Sequence, residues 1–566
     1  MKPALRLLVP LLGWILLMPA ARAATAPAVA LGRRLYRHGI SVSGKPLQAV
    51  TAAGEPLLGA QGHCVTCHRP SGYGASEGGV LVPPITGPIL FHRATAHRYG
   101  WRFADMFKQI QPPGYEAALH RPALRPAYTQ QSLAVLLRDG RNPLGRTLPD
   151  MPRYRLSPAD VAALTAYLRT LSARLSPGVG PRHLYLATIF TDNVPPARRR
   201  AVLATLRAFI SWANRNTIHY LDRPGFSPYY RSGLAKAYRV WVLRVWTLHG
   251  KPAGWTAQLS ADLAAHPVFA ELSGIVDGPW SPIGRFCNAH RLPCLFPETP
   301  LPSQRDGIDV YSMQFNDGLF LQARVAAAYL AARPSPPRRV TMLMGPGLMA
   351  AAPAATFARA LGRDLPHARL VTRRVGAAGW PAAVRAVSAS PVGSPVGTPD
   401  GTLVVWPGAD PRPALAALAA AVPRARRIIL PDNATAPARR LTGPLAARLR
   451  LIHPTAMPGA INPESFRTRQ FLDARGVPVV FPRAQFEAYY AARLLRAAVY
   501  RLVSDFHRDY LMEWIEQEAE NTLDPGVYPH LALGPGQRHA SHGAYVVALD
   551  PRAPGGIRAA SGWLVP

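Results

Sequence analysis

The spacing of hydrophobic positions changes near residue 180. Before that point the clearest pattern is helical, with four apolar side chains at three- and four-residue intervals: Val161, Leu164, Leu168 and Leu171. Ser157 is a favourable N-cap and Pro158 suits a first helical turn, so this spacing predicts a helix over 157–172. Glycine and proline are frequent over 72–88, which predicts a stiff, non-helical loop there.

After residue 181, short β-rich runs alternate with helical patterns. The expected strands are 183–190, 238–248, 268–276, 293–297, 339–344, 402–406, 427–430 and 449–452. The clearest helices are 318–333, 350–362, 411–421 and a long one over 483–516. Such alternation predicts parallel sheets flanked by helices. The span is too long for one ordinary sheet, so we expect two α/β lobes.

Domain boundaries follow from these changes in pattern. We expect a helical domain over 30–172, a Pro/Gly-rich linker over 173–181 and the two-lobed domain over 182–566. The first 23 residues have basic Lys2 and Arg6, an apolar run over 7–18 and small residues before Ala23, which predicts a cleaved signal peptide. The alternative is a membrane anchor, but the run is shorter than the ~20 residues that span a bilayer. We therefore expect a soluble, exported, periplasmic protein.

The chain is strongly basic. It has 65 Lys and Arg against 31 Asp and Glu, a formal charge of +34. These basic residues are dispersed and form no recognisable nucleic-acid module, so we expect no nucleic-acid partner. The charge predicts attraction to an acidic redox partner, weakened by salt.

Two pairs of cysteines stand out. In the segment 64–68, Cys64 and Cys67 are three positions apart and His68 follows directly. Two such thiols can add to the vinyl groups of a haem, and the adjacent histidine can then ligate the iron. A zinc site would need a second nearby pair of Cys or His, and a dithiol redox site leaves His68 unexplained. We therefore expect one covalent haem c.

The iron needs a sixth ligand if the protein only transfers electrons. Met151 is our first candidate, because it lies in a Pro-bounded loop just before the helix over 157–172. A buried methionine in a hydrophobic core is the alternative interpretation. The less favoured candidates for this position are Met106, His63, His92 and His97.

With these motifs in place, residues 30–172 resemble a class I cytochrome c. The resemblance implies that the first and last helices cross at close contact, with Gly32, Tyr36 and Tyr167 at the crossing. It also implies an electron carrier with His68 and Met151 as axial ligands. The segment between the haem motif and the methionine loop is longer than in the smallest family members, with an expected extra helix and loop over 101–128.

The larger domain resembles a type 1 periplasmic binding protein of the branched-chain amino-acid receptor kind. The resemblance implies a small-molecule ligand held by the loops after two strands, which here carry Asp277, Trp280, Glu298 and Thr299. Receptors for amino acids have Ser or Thr pairs there, so amino-acid specificity is in doubt.

The second cysteine pair, Cys287 and Cys294, is either a structural disulfide or two buried thiols. Asp432 and His453 lie near strand ends, where active sites gather in α/β folds, although such residues are usually ordinary loop residues. The chain contains no nucleophile elbow, phosphate-binding loop or metal-spaced cluster, so we expect no catalytic residues of its own. Two functions follow as hypotheses: an electron carrier or oxidoreductase cytochrome component with a fused binding domain, and a solute receptor whose closure is coupled to the haem.

Overall fold

The computed structural model describes residues 26–77, 80–94, 125–221, 238–303, 310–376, 379–388, 401–423, 425–460, 462–522, 525–533 and 536–566. The described residues up to Ala173 form one compact unit, and those from Arg174 onwards form a second. The expected signal peptide, the insertion over 101–124 and the candidates Met106 and His97 lie outside the described residues. No described helix has both the length and the apolar character needed to span a bilayer.

The first unit is mainly helical. Its elements are α1 Ala26–His38, β1 Ala49–Val50, β2 Pro56–Leu57, α2 Cys64–His68, β3 Ala75–Glu77, β4 Val80–Val82, α3 Gly87–Leu90, α4 Gln130–Asp139, β5 Arg153–Tyr154 and α5 Pro158–Thr170. The hydroxyl of Ser157 accepts from the N–H of Asp160, which caps α5 as the sequence predicts.

Helices α1 and α5 cross at close contact. A side chain at Gly32 would overlap the backbone carbonyl of Ala163, so only glycine fits there. The rings of Tyr36 and Tyr167 pack with centroids 5.4 Å apart. The Tyr36 hydroxyl donates to the carbonyl of Arg69, 2.6 Å away, which ties the crossing to the end of α2.

The second unit alternates strands and helices. Its first elements are β6 His183–Thr191, α6 Pro196–Leu221, β7 Val240–Leu248, α7 Trp255–Ala265, β8 Ala270–Ile275, α8 Ser281–Ala289, β9 Cys294–Leu295, β10 Ser312–Asn316 and α9 Gly318–Ala331. Next come β11 Arg339–Met344, α10 Leu348–Asp364, β12 Arg369–Arg374, α11 Gly379–Ser388, β13 Thr402–Trp406, α12 Arg412–Ala421, β14 Arg427–Leu430, α13 Thr435–Ala438, α14 Gly443–Arg448 and β15 Leu449–His453. The last are α15 Pro463–Asp473, α16 Pro482–Leu502, α17 Arg508–Thr522, β16 His539–Ser541, β17 Tyr545–Leu549 and β18 Ile557–Ala559.

These strands form two sheets. The first has the order β16-β10-β9-β8-β6-β7 and is parallel throughout. The second has the order β12-β11-β13-β14-β15-β17-β18, with β17 and β18 antiparallel. The chain passes between the sheets after β10, after β15 and after β16, which makes two lobes. The fold class predicted from the sequence, a helical domain followed by a two-lobed α/β domain with parallel sheets, is confirmed.

One local expectation is wrong. The helix expected over 483–516 is broken, because Val503 has a left-handed φ of 56° and ends α16. The break allows Arg508 to donate to the carbonyl oxygens of Phe269 at 3.1 Å and His290 at 2.9 Å. Within the predicted linker over 173–181, the N–H of Ser176 donates to the carbonyl of Phe506, 3.0 Å away.

Strand β8 contains a fully buried carboxyl group, that of Glu271. Burial raises its pKa well above the usual value, although the backbone amides of Leu295 and Ile189 favour the charged form. Between the unfolded and the folded pKa, the folded protein therefore holds a proton on Glu271 that the unfolded chain releases.

We expect Glu271→Gln to remove part of the pH dependence of stability. The contribution of the raised pKa is fully present below the unfolded-chain pKa of about 4.3 and is lost as pH rises toward the folded pKa. Wild-type stability should fall relative to the variant by up to about 1.4 kcal/mol per pH unit above that point. Thermal unfolding midpoints of both proteins between pH 5 and 8 test this, and parallel curves would contradict it.

Candidate haem site and interlobe cleft

The short helix α2 carries the two thiols and the histidine of the predicted haem motif. Cys64 is buried and Cys67 is exposed, and neither is in a disulfide. Their separation of three positions places both thiols on neighbouring points of one helix face. His68, the last residue of α2, is 7% exposed.

The imidazole of His68 is held by the loop that follows it. Its Nδ1 lies 3.2 Å from the carbonyl oxygen of Pro83, and because that oxygen can only accept, Nδ1 carries the proton. Burial lowers the pKa of His68 to about 4, against the opposing effect of the Pro83 bond, so the ring is neutral. Nε2 is then left with a free lone pair, the form that ligates iron.

These features fit a haem better than the two alternatives. Burial raises the pKa of Cys64 to about 12, whereas a dithiol redox site needs a lowered thiol pKa. In the part of the chain that the structure describes, no three His, Cys, Asp or Glu side chains converge as metal ligands. A haem needs only the two thiols and one imidazole nitrogen, and α2 presents these.

Met151 lies in the loop between α4 and β5. Its side chain is half-buried and packs on the hydrophobic core of the first unit, near Leu148 and Leu156. Its role as the sixth ligand stays a prediction. Among the other candidates, His92 is exposed, and the ring of His63 lies against Gly39.

In the second unit, the predicted ligand residues follow β8 and β9 of the first lobe. The end of the first lobe that carries them, with the second-lobe groups that contact it, is here called the cleft. Asp277 is partly exposed, and its N–H donates to the hydroxyl of Thr191, 3.0 Å away. Burial raises the pKa of Asp277, with Glu298 adding to the rise and Arg198 opposing it. Glu298 pairs directly with Arg198.

Trp280 and Thr299 have structural roles. Trp280 has no exposed surface, and its indole N–H donates to the hydroxyl of Ser312 at 3.0 Å. The indole therefore lies in the first-lobe core, and a ligand contact by Trp280 stays a prediction. The Thr299 hydroxyl donates to the carbonyl of Gly278, 3.0 Å away, and so joins the two loops.

A charged network that the sequence did not reveal connects the lobes at this cleft. Arg483, at the start of α16, lies 3.1 Å from Glu487 and 3.4 Å from Asp432, which follows β14 in the second lobe. The Tyr528 hydroxyl donates to Glu487 at 2.5 Å and accepts from Asn316 at 2.7 Å. The network therefore contains groups from both lobes.

Electrostatics within this network favour the ion pair. Burial alone would lower the pKa of Arg483, but its neighbours raise it well above its usual value. These neighbours are Tyr528, Glu487, Glu298 and Asp432. Burial also raises the pKa of Glu487, and Arg483 opposes that rise. His453 joins the edge of the network, with Nδ1 3.4 Å from Asp432. The strand-end positions of Asp432 and His453 were the only sequence signal for this cluster.

Cys287 and Cys294 form a disulfide with a Cα separation of 6.3 Å. It joins the end of α8 to the start of β9, within the buried core of the first lobe.

With the haem motif, the neutral histidine and the helix crossing described, the first unit has the features of a covalent haem domain. Residues 52–172 match the family model of cytochrome c. The resemblance drawn from the sequence is therefore confirmed for this part of the chain.

For the second unit, similar solved structures cover about two thirds of the chain. A branched-chain amino-acid ABC transporter protein from Thermus thermophilus with bound valine is 13% identical, with a TM-score of 0.48, covering 69% of this chain and 98% of its own. A branched-chain amino-acid substrate-binding protein from Streptococcus pneumoniae with isoleucine is 12% identical, with a TM-score of 0.47, covering 68% and 100%. None of the curated proteins compared matches the chain. The fold assignment rests on the strand order described above.

We expect Arg483→Met to lower the free energy of unfolding by about 3 kcal/mol, because Glu487 would be left buried without its cation. The double variant Arg483→Met/Glu487→Gln should recover much of this loss. Urea unfolding followed by tryptophan fluorescence measures both. Arg467→Met is the matched control, because Arg467 pairs with Glu464 while 67% of its side chain is exposed. Equal losses in the two single variants would contradict the prediction.

Proposed function

We propose that this protein is an exported electron carrier with one haem c and a fused domain that binds a small solute or a partner. Cys64 and Cys67 would hold the haem covalently, and His68 and Met151 would be its axial ligands. The haem, when bound, supplies one-electron transfer between ferric and ferrous iron.

The observation that carries this proposal is the state of His68. The Nδ1–H is committed to the Pro83 carbonyl at 3.2 Å and Nε2 remains available. Such a hydrogen bond fixes the tautomer and orientation of a ligating ring and increases its basicity. The 7% exposure of His68 keeps water from competing for that nitrogen.

The cytochrome c match supports the haem and a redox partner. The charge of +34 further supports an acidic partner whose binding weakens with salt. Export to the periplasm is supported by the features of residues 1–23 and by the chemistry of haem c, which is attached outside the cytoplasm.

The cleft supports the binding role of the second unit. Asp277, Glu298 and Arg198 stand on the first lobe, while Arg483 reaches Asp432 of the second. A ligand that alters these contacts would bias the angle between the lobes. This connection supports ligand-driven closure of the lobes, which is the part of the second candidate function that does not involve the haem.

Replacing Met151 with alanine tests the haem and its ligand together. The wild type should contain one haem per chain by pyridine haemochrome, with a weak far-red band in the oxidised form. Met151→Ala should keep the covalent haem, lose that band and lower the reduction potential, because the thioether favours the ferrous state. Met349→Ala in the second unit is the control for a methionine change. A colourless wild type would overturn the haem proposal, and an unchanged variant spectrum would overturn the ligand assignment.

A further inference from the structure

The loop that carries Met151 is held by a single side chain. Nη1 and Nη2 of Arg153 each lie 3.2 Å from the carbonyl oxygen of Leu148, and Nη1 also donates to the carbonyl oxygen of Met151. One guanidinium therefore joins both ends of the segment 148–151.

The loop has few backbone donors to hold it in place. Pro149 and Pro152 carry no N–H, and each restricts the preceding residue to an extended conformation. The carbonyls that Arg153 bonds, those of Leu148 and Met151, belong to these two preceding residues. Arginine suits this position because its planar group offers several donors in a fixed geometry.

Arg153 is itself firmly placed. Its backbone lies in β5, which pairs with β1 through Val50. Its guanidinium passes against Gly140, the αL residue that ends α4 with a φ of 69°, where a side chain would overlap it. The carbonyl of Gly140 also accepts from the N–H of Leu148, 2.9 Å away. The sheet and the end of α4 thus fix the group that holds the loop.

We infer that Arg153 is a positioning residue for the axial methionine, holding the Met151 loop so that the thioether stays on the iron. The inference rests on the proposed role of Met151. Arg153 acts through the backbone of the loop, because its guanidinium bonds to the carbonyl oxygens of Leu148 and Met151. Removal of the Arg153 side chain should weaken the bond of the sixth ligand to the iron and leave the covalent attachment of the haem intact.

Imidazole binding to the oxidised protein measures this effect, because imidazole must displace the sixth ligand. Losing charge-assisted hydrogen bonds to two carbonyls should tighten imidazole binding by about tenfold or more in Arg153→Ala. The far-red band should weaken in parallel. Arg153→Lys should restore part of the wild-type behaviour, because an ammonium group can hold one carbonyl and lacks the fork that holds both.

Arg155→Ala is the matched control. Arg155 is exposed and only two positions away, and its N–H rather than its side chain bonds to Gln48. The Arg155→Ala variant removes the same positive charge and leaves the hydrogen bonds of the segment 148–151 in place. Met151→Ala gives the upper limit of imidazole affinity, because it lacks the proposed sixth ligand that imidazole would have to displace.

The outcomes separate the inference from the function on which it rests. The inference is supported if the imidazole affinity of Arg153→Ala lies between those of the wild type and Met151→Ala, while that of Arg155→Ala equals the wild-type value. The inference about Arg153 alone is overturned if Arg153→Ala and Arg155→Ala bind imidazole equally while the haem is covalently attached and Met151→Ala binds imidazole more tightly than the wild type. If Met151→Ala binds imidazole with the wild-type affinity, both the ligand assignment and the inference are overturned.

Discussion

The proposed haem site of the first unit depends on the hydrogen bond between His68 and the Pro83 carbonyl. It fixes which imidazole nitrogen carries a proton, and it can form only if the loop after α2 returns to the ring. The N–H of Gly74 donates to the His68 carbonyl at 3.2 Å, and the N–H of Ile85 donates to the Gly72 carbonyl at 2.7 Å. These two hydrogen bonds hold the beginning and the end of the segment after α2 together, close to His68.

A second constraint, the burial of charge, shapes the cleft of the α/β unit. Glu487 has 4% of its side chain exposed, so it is stable there only with the guanidinium of Arg483 and the hydroxyl of Tyr528. Because Arg483 also meets Asp432 of the other lobe, the same group that neutralises a buried charge joins the two halves of the cleft. The stability of the first lobe and its connection to the second lobe are thus linked at one arginine.

Most strands of the larger unit were predictable because parallel strands buried on both faces are continuous apolar runs. Two of the strands that were not predicted, β10 and β12, lack that signal. Strand β12 has mostly half-exposed or exposed positions at the edge of its sheet. Strand β10 contains Ser312, Gln314 and Asn316 within a buried strand, where Ser312 and Asn316 bond to Trp280 and Tyr528. Hydrogen bonds between distant residues replaced the apolar pattern there.

The sequence by itself determined the candidate haem site, because its two thiols and imidazole lie in the five consecutive positions of α2 and need only one helical turn to converge. The helix crossing at Gly32 was implied by the resemblance to class I cytochromes c, and the contact of Gly32 with Ala163 in the structure agrees with it. Only the tertiary structure decided the cleft network, since Asp432, Arg483 and Tyr528 come from separate parts of the chain. Charged pairing between such elements depends on how the lobes fold together, and spacing along the chain carries no record of it.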